Sequence, residues 1–172
     1  MAATTTWYEQ NGTATGSPAY GVESTITSCD WKSVDDTTTP RASATVDAGS
    51  NSYAKYIYLK FTGTFNMVSA VKFAHTSGTL GTGISLYGKV TSTYATPSRS
   101  NLSDSSNITS TSSVSSGTAV LLSTTGPNGT STSTSQTSAC YTQYIVTQVR
   151  TTSSAGAGDS GSATLTIQYN EN

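Results

Sequence analysis

Apolar positions along the chain recur at period two almost wherever they recur at all. From Tyr56 to Phe61 the side chains of Ile57, Leu59 and Phe61 share one face and Tyr56, Tyr58 and Lys60 the other, the alternation of a half-buried strand. The run Met67 to His75 alternates again, with Met67, Val71, Phe73 and His75 on one side and Val68, Ala70, Lys72 and Ala74 on the other. Three glycines follow between Thr76 and Gly83, and Ile84, Leu86 and Val90 resume the period. These three segments are predicted to form a meander. Ala119 to Leu122 is a continuous apolar run, expected to be a strand buried on both faces, and Gly126-Pro127-Asn128-Gly129 marks a turn behind it. The segment Cys140 to Thr152 sets Tyr141, Ile145 and Val149 against Tyr144 and Val146, which suits a central strand. Ala163 to Tyr169 alternates cleanly, and the glycine-rich connection Ser153 to Gly161 predicts a hairpin between these last two strands. Val22 to Ser28 and Ala42 to Val46 are weaker strand candidates, and Trp7 with Tyr8 reads as an N-terminal anchor. No window of ten or more residues carries helical spacing. The expected fold is all-β, an antiparallel β-sandwich or jelly roll of about six to eight strands in one domain over residues 1–172.

Composition adds a tension. The chain contains 34 Thr and 30 Ser among its 172 residues, against only 26 Leu, Ile, Val and Phe together. That share of large apolar residues falls below the roughly 20 % that accompanies disorder. Disorder also needs strong charge, and a net charge of -1 supplies none. Thr and Tyr occupy strands well, so the chain is expected to fold around a thin core. Burial against a partner subunit would supplement that core, and a homo-oligomer is expected. The Ser-rich stretch 98–117 is a low-complexity loop or arm, and residues 1–20 are a candidate N-terminal arm.

Charge and cysteine usage narrow the function classes. Five Lys and three Arg are scattered from Lys32 to Arg150, so no basic patch for nucleic acid is expected. No apolar stretch approaches a membrane span, and the first residues lack the basic start and apolar block of a secretion signal, so a chain made and used without Sec export is expected. Cys29 and Cys140 stand far apart without a Cys or His neighbour, which disfavours zinc; free thiols are expected over a disulfide. The four Asn-x-Ser/Thr sequons at Asn11, Asn101, Asn107 and Asn128 carry little weight in a chain so rich in hydroxyls.

Candidate chemistry is sparse. Gly158-Asp159-Ser160-Gly161 matches the nucleophile signature of trypsin-like proteases, and His75 and Asp104 precede it in the matching order. His75 lacks the cysteine that follows that family's histidine, Asp104 sits in the Ser-rich stretch, and only 11 residues follow Gly161. A hairpin turn explains the motif, and His75, in phase with an apolar face, is expected to be a hydrogen-bonded structural residue. Asp30, Asp35 and Asp36 around Trp31 suggest either a cation site or a solvated turn, and the turn is preferred. Trp31 with the Tyr-rich strand face is a candidate carbohydrate platform, with core or interface the preferred role. No catalytic, cofactor-binding or metal-ligating residue is therefore assigned.

Three segments carry a resemblance. Trp7-Tyr8-Glu9-Gln10-Asn11-Gly12 with Gly16-Ser17-Pro18-Ala19-Tyr20-Gly21, the segment Lys55 to Asn66, and Leu122 to Pro127 followed by Tyr141-Thr142-Gln143-Tyr144 resemble small virion proteins of tailed bacteriophages. The resemblance implies a non-enzymatic, all-β structural subunit, synthesised in the host bacterial cytoplasm, a decoration or cement protein on the capsid exterior whose partner is the major capsid protein lattice. A tail or head-tail connector component and a receptor- or glycan-binding β-sandwich are the alternatives.

Overall fold

The computed structural model describes residues 2–156 and 161–172. They form two antiparallel sheets of eight and four strands with only two single-turn 3-10 segments, the all-β class that the period-two pattern predicts. The strands are β1 (Thr4–Thr15), β2 (Tyr20–Thr25), β3 (Lys55–Thr62), β4 (Val68–Ser77), β5 (Ile84–Thr91), β6 (Ser106–Asn107), β7 (Thr118–Ala119), β8 (Leu122–Ser123), β9 (Ser135–Gln136), β10 (Cys140–Thr142), β11 (Tyr144–Thr151) and β12 (Thr164–Glu171). The larger sheet runs β2-β1-β3-β11-β5-β6, with β10 pairing β3 and β8; the smaller runs β12-β4-β7, with β9 pairing β4.

The main core lies between the sheets. Ile57, Leu59, Phe61 and Ile145 from the larger sheet meet Val68, Val71 and Phe73 of β4, joined by Val120, Leu122 and Cys140. Phe61 packs edge-on against Tyr169 of β12, ring centroids 4.9 Å apart. The opposite face of the larger sheet carries a second core made largely of tyrosine. Tyr56, Tyr58 and Tyr144 are covered there by Tyr94, Tyr8 and Tyr141. Tyr8 stacks on Tyr58 at 5.3 Å and Tyr144 donates to Gln10 Oε1 at 2.7 Å. Tyrosine thus supplies the apolar mass that Leu and Ile do not, and its hydroxyls find partners inside. The tyrosine face, one candidate for an interface or carbohydrate platform, is interior. Every residue from Tyr144 to Val149 is buried, as a central strand requires.

Several expectations are corrected. The three segments around Ile57, Phe73 and Leu86 do not form a meander, because β4 joins the smaller sheet while β3 and β5 stay in the larger. Strands with one apolar face each bury those faces best across the sandwich, and the glycines after Phe61 and His75 allow the crossing. For the same reason β12 pairs with β4 and not with β11, so the connection between the last two strands changes sheets and is not a hairpin. Val68 and Val71 face inward together because β4 carries an extra residue at Ala70, whose φ of 51° marks a bulge that resets the alternation. A similar break at Gln143, between β10 and β11, sends Tyr141 to the tyrosine face with Tyr144. The run Ala119 to Leu122 is divided between the sheets as β7 and β8, with Val120 and Leu122 inward and Ala119 exposed. Arg41–Ser43 is a 3-10 turn where a weak strand was expected.

Neither proposed arm is free. Residues 4–15 form β1, paired on both sides by β2 and β3. The stretch 98–117 is a loop that straps the open side of the sandwich. Gln148 Nε2 donates to Ser100 O at 2.8 Å, Arg150 Nη2 to Leu102 O at 3.0 Å, β6 pairs β5, and Ile108 enters the core. A serine-rich segment can do this because its own backbone and hydroxyls satisfy one another and the adjoining strands.

Candidate functional site

Beside the main core, where β1 and β3 meet the segment 26–44, ionisable side chains replace apolar ones. The pairing of β1 with β3 places Glu9 opposite Ile57 and Trp7 opposite Leu59, all on the inner face. One step beyond the last pair, Gln10 with Tyr56, the same register sets Asn11 opposite Lys55. Glu9 is 2 % exposed and Lys55 1 %. Lys55 Nζ donates to Glu9 Oε1 at 2.8 Å and to the Asp36 carbonyl at 3.2 Å. Lys32, also buried, donates to Asp36 Oδ1 and to the Thr39 carbonyl, both at 2.8 Å. Asp35 Oδ2 accepts the Gly12 N–H at 2.6 Å. With the Asn11 amide oriented to suit its neighbours, its nitrogen donates to Glu9 Oε1 at 2.6 Å and to Asp35 Oδ1 at 3.0 Å. Two lysines and three carboxylates thus form one network, and Glu9, Lys32, Asp36 and Lys55 of it line a cleft of about 220 Å³ together with Thr25, Ser28, Asp30 and Thr37.

The local chain makes this geometry. A bulge in β1 falls between Asn11 and Thr15, and Gly12 takes φ 82° within it. Gly21 faces the bulge across the strand pair, where a Cβ would strike the Tyr94 hydroxyl and the Asn11 carbonyl. The bulge turns the Gly12 N–H toward Asp35 and leaves the Gly12 carbonyl to accept from the Tyr94 hydroxyl at 2.7 Å.

Electrostatics divides the carboxylates into two kinds. Burial raises Glu9 above the ordinary glutamate value, against the pull of the Lys55 ammonium. Burial also raises Asp35, with the Gly12 N–H acting the other way. Asp36 is held well below the usual range, first by the Lys32 hydrogen bond and then by those from Thr39. A carboxylate depressed in this way contributes stability that is complete above its unfolded value of 3.8 and is lost as the pH falls toward its folded value. Asp36→Asn is therefore expected to be less stable than the parent near neutrality, with the two converging as the pH drops below 3.8. Urea unfolding at a series of pH values reads this, and a gap independent of pH would contradict the assignment.

The other candidate residues take structural places. Both ring nitrogens of His75 lie 2.9 Å from backbone carbonyls, Nδ1 from Ile108 and Nε2 from Ser77, so the ring is a tie between β4 and the strap. Asp104 sits at an exposed turn with φ 52°. Ser160 and its neighbours Gly158 and Asp159 lie outside the described residues. Trp31 packs on Ile84, Leu86 and Val149 and donates its indole N–H to Thr147 Oγ1 at 3.1 Å, an inward role that does not suit a sugar platform. Among the described residues no group of three or more His, Cys, Asp and Glu side chains is placed to hold a metal ion; Asp35 and Asp36 are engaged by backbone N–H groups, Asn11 and Lys32 instead. Cys29 and Cys140 are free thiols, and burial pushes them up to about 12 and about 11.

Glu9 and Lys55 are the residues that reading the strands missed. The signal was phase. Lys55 falls on the same face as Ile57, Leu59 and Phe61, and Glu9 on the same face as Trp7, so both continue an inward stripe with a charge.

A second feature lies at the edge of the larger sheet. Among the described residues β2 pairs only with β1, leaving its outer backbone edge open. Val22 pairs with Asn11 and so lies on the inner face, yet its side chain stays open to solvent. Tyr20 and Val22 are 53 % and 71 % exposed, the large hydrophobic side chains most open to solvent among the described residues. Comparison with protein-family models, curated proteins and solved structures finds no match to this chain.

Proposed function

We propose that the chain is a non-enzymatic virion structural subunit, a decoration or cement protein that grips the outside of a capsid lattice and bridges neighbouring major capsid subunits. The observation that carries this reading is the open edge of β2. An unpaired edge with two exposed apolar side chains can extend a neighbour's sheet by backbone hydrogen bonds, while Tyr20 and Val22 find pockets beside it. The near-neutral, hydroxyl-rich surface leaves little charge to desolvate on docking. The sequence resemblance to small virion proteins supports the same assignment. Among the described residues β12 pairs only with β4, so its other side offers a second edge for the homo-oligomer that belongs to this reading. Stabilisation is by mass action: a subunit that binds only the assembled lattice lowers the free energy of that state.

Particles lacking the protein are expected to open at lower temperature and to survive osmotic shock less well than complete ones. Particles carrying Val22→Lys in place of the parent chain should lose occupancy, because a lysine on the edge opposes strand addition. Equal survival of complete and deficient particles would overturn the cement role; full occupancy by Val22→Lys would overturn the β2 docking edge.

A further inference from the structure

We infer that Lys55 and Glu9 join through an intramolecular amide bond that staples β3 to β1 between Lys55 Nζ and Glu9 Cδ. The inference is independent of the capsid reading and rests on the buried pair alone. Nζ stands 2.8 Å from Oε1, with both side chains almost wholly out of water. That arrangement holds an amine against a carboxyl carbon one bond away, and fixing two reactants in this way is worth effective molarities on the order of 10⁵–10⁸ M.

Of the two lysine-carboxylate pairs in the cleft, only this one has the chemistry. Attack needs a neutral amine and a protonated acid. At 2.8 Å, Nζ and Oε1 are in direct proton-transfer contact, and burial, which raises Glu9, favours the neutral acid. Asp36, the partner of Lys32, accepts from Lys32, Thr38 and Thr39 and is held ionised, which makes it a poor electrophile. The Asn11 amide donates to the same Oε1 at 2.6 Å and so helps to hold the Glu9 carboxyl group beside Nζ.

The step balances without a further reactant. Proton transfer from Lys55 to Glu9 leaves a neutral amine and a neutral acid. The nitrogen lone pair forms the new bond to Cδ, the bond from Cδ to the hydroxyl oxygen breaks, and one proton from nitrogen leaves with that oxygen as water. The product is a neutral secondary amide, and no oxidation occurs.

Intact-mass measurement of the purified full chain, followed by tandem mass spectrometry of a protease digest, tests it. The expected mass is lower than the sequence mass by one water, with a branched peptide linking the residues around Glu9 to those around Lys55. Lys55→Arg should return to its full sequence mass, a reading that does not depend on whether the variant folds. An unshifted parent mass, with trypsin cutting after a free Lys55, would overturn the inference. Loss of ammonia through Asn11, or a water loss mapped away from Lys55, would equally overturn it.

Discussion

Replacing Lys55 with methionine is expected to lower folding stability by about 3–5 kcal/mol, the cost of removing one partner of a buried ion pair. The effect is large because Glu9 would remain in the interior without the donor that offsets its desolvation, and the Asp36 carbonyl would lose a second contact. Urea unfolding gives the figure as a shift of midpoint at unchanged slope. A loss near the few tenths of a kcal/mol that exposed pairs give would show that water reaches the pair. The double variant Glu9→Leu with Lys55→Met separates two forms of the contact. Replacing both partners of a buried ion pair by apolar residues is often close to neutral, so recovery in the double variant points to an ion pair alone. A double variant that stays destabilised points to the covalent staple, whose loss apolar packing does not replace.

Phe61→Ala is the second large effect, expected at about 3–5 kcal/mol. Phe61 is fully buried in β3 and meets Tyr169 of β12 at an angle of 80° across the sandwich, so it joins the two sheets directly. The chain has only three Phe, and the buried aliphatic side chains clustered with Phe61, Leu59 and Leu122 among them, already fill places of their own in the core. Since a domain of this kind is stabilised by about 5–15 kcal/mol in total, one truncation removes a substantial share. Phe61→Leu keeps most of the volume and should cost less than half as much. Equal loss from the two variants would mean that ring geometry, and not core volume, governs the site.

Alternation made the strand positions legible, because Ile57, Leu59, Phe61 and the residues from Tyr144 to Val149 report burial locally. The partition into sheets was not legible. Whether β4 lies beside β3 or opposite it depends on which apolar face meets which, and a glycine-rich connection permits both. Bulges were hidden for a related reason: Ala70 carries no side-chain mark of its positive φ, yet it moves Val68 to the inner face. The buried cluster was partly legible. Asp35 and Asp36 stood out beside Trp31, but Glu9 and Lys55 are brought together only by the register of β1 on β3. A charged residue in phase with an apolar stripe is the general signal, and in a hydroxyl-rich chain it is easily taken for solvent-facing polarity.

The hydroxyl excess itself has a structural account. Tyrosine forms a second core on the far side of the larger sheet, threonine fills strand positions at little apolar cost, and serine builds the strap from residue 98 to 117. The larger sheet ends at β2, where Tyr20 and Val22 stay exposed, and there the proposed function is located.

The most direct measurement is a cryo-electron-microscopy reconstruction of the virion with the chain fitted to its density. The expected result is a two-sheet subunit repeated over the capsid exterior with the edge of β2, at Tyr20 and Val22, set against a strand of a major capsid subunit. A capsid shell without that density, or density confined to a ring in the tail, would contradict the proposal.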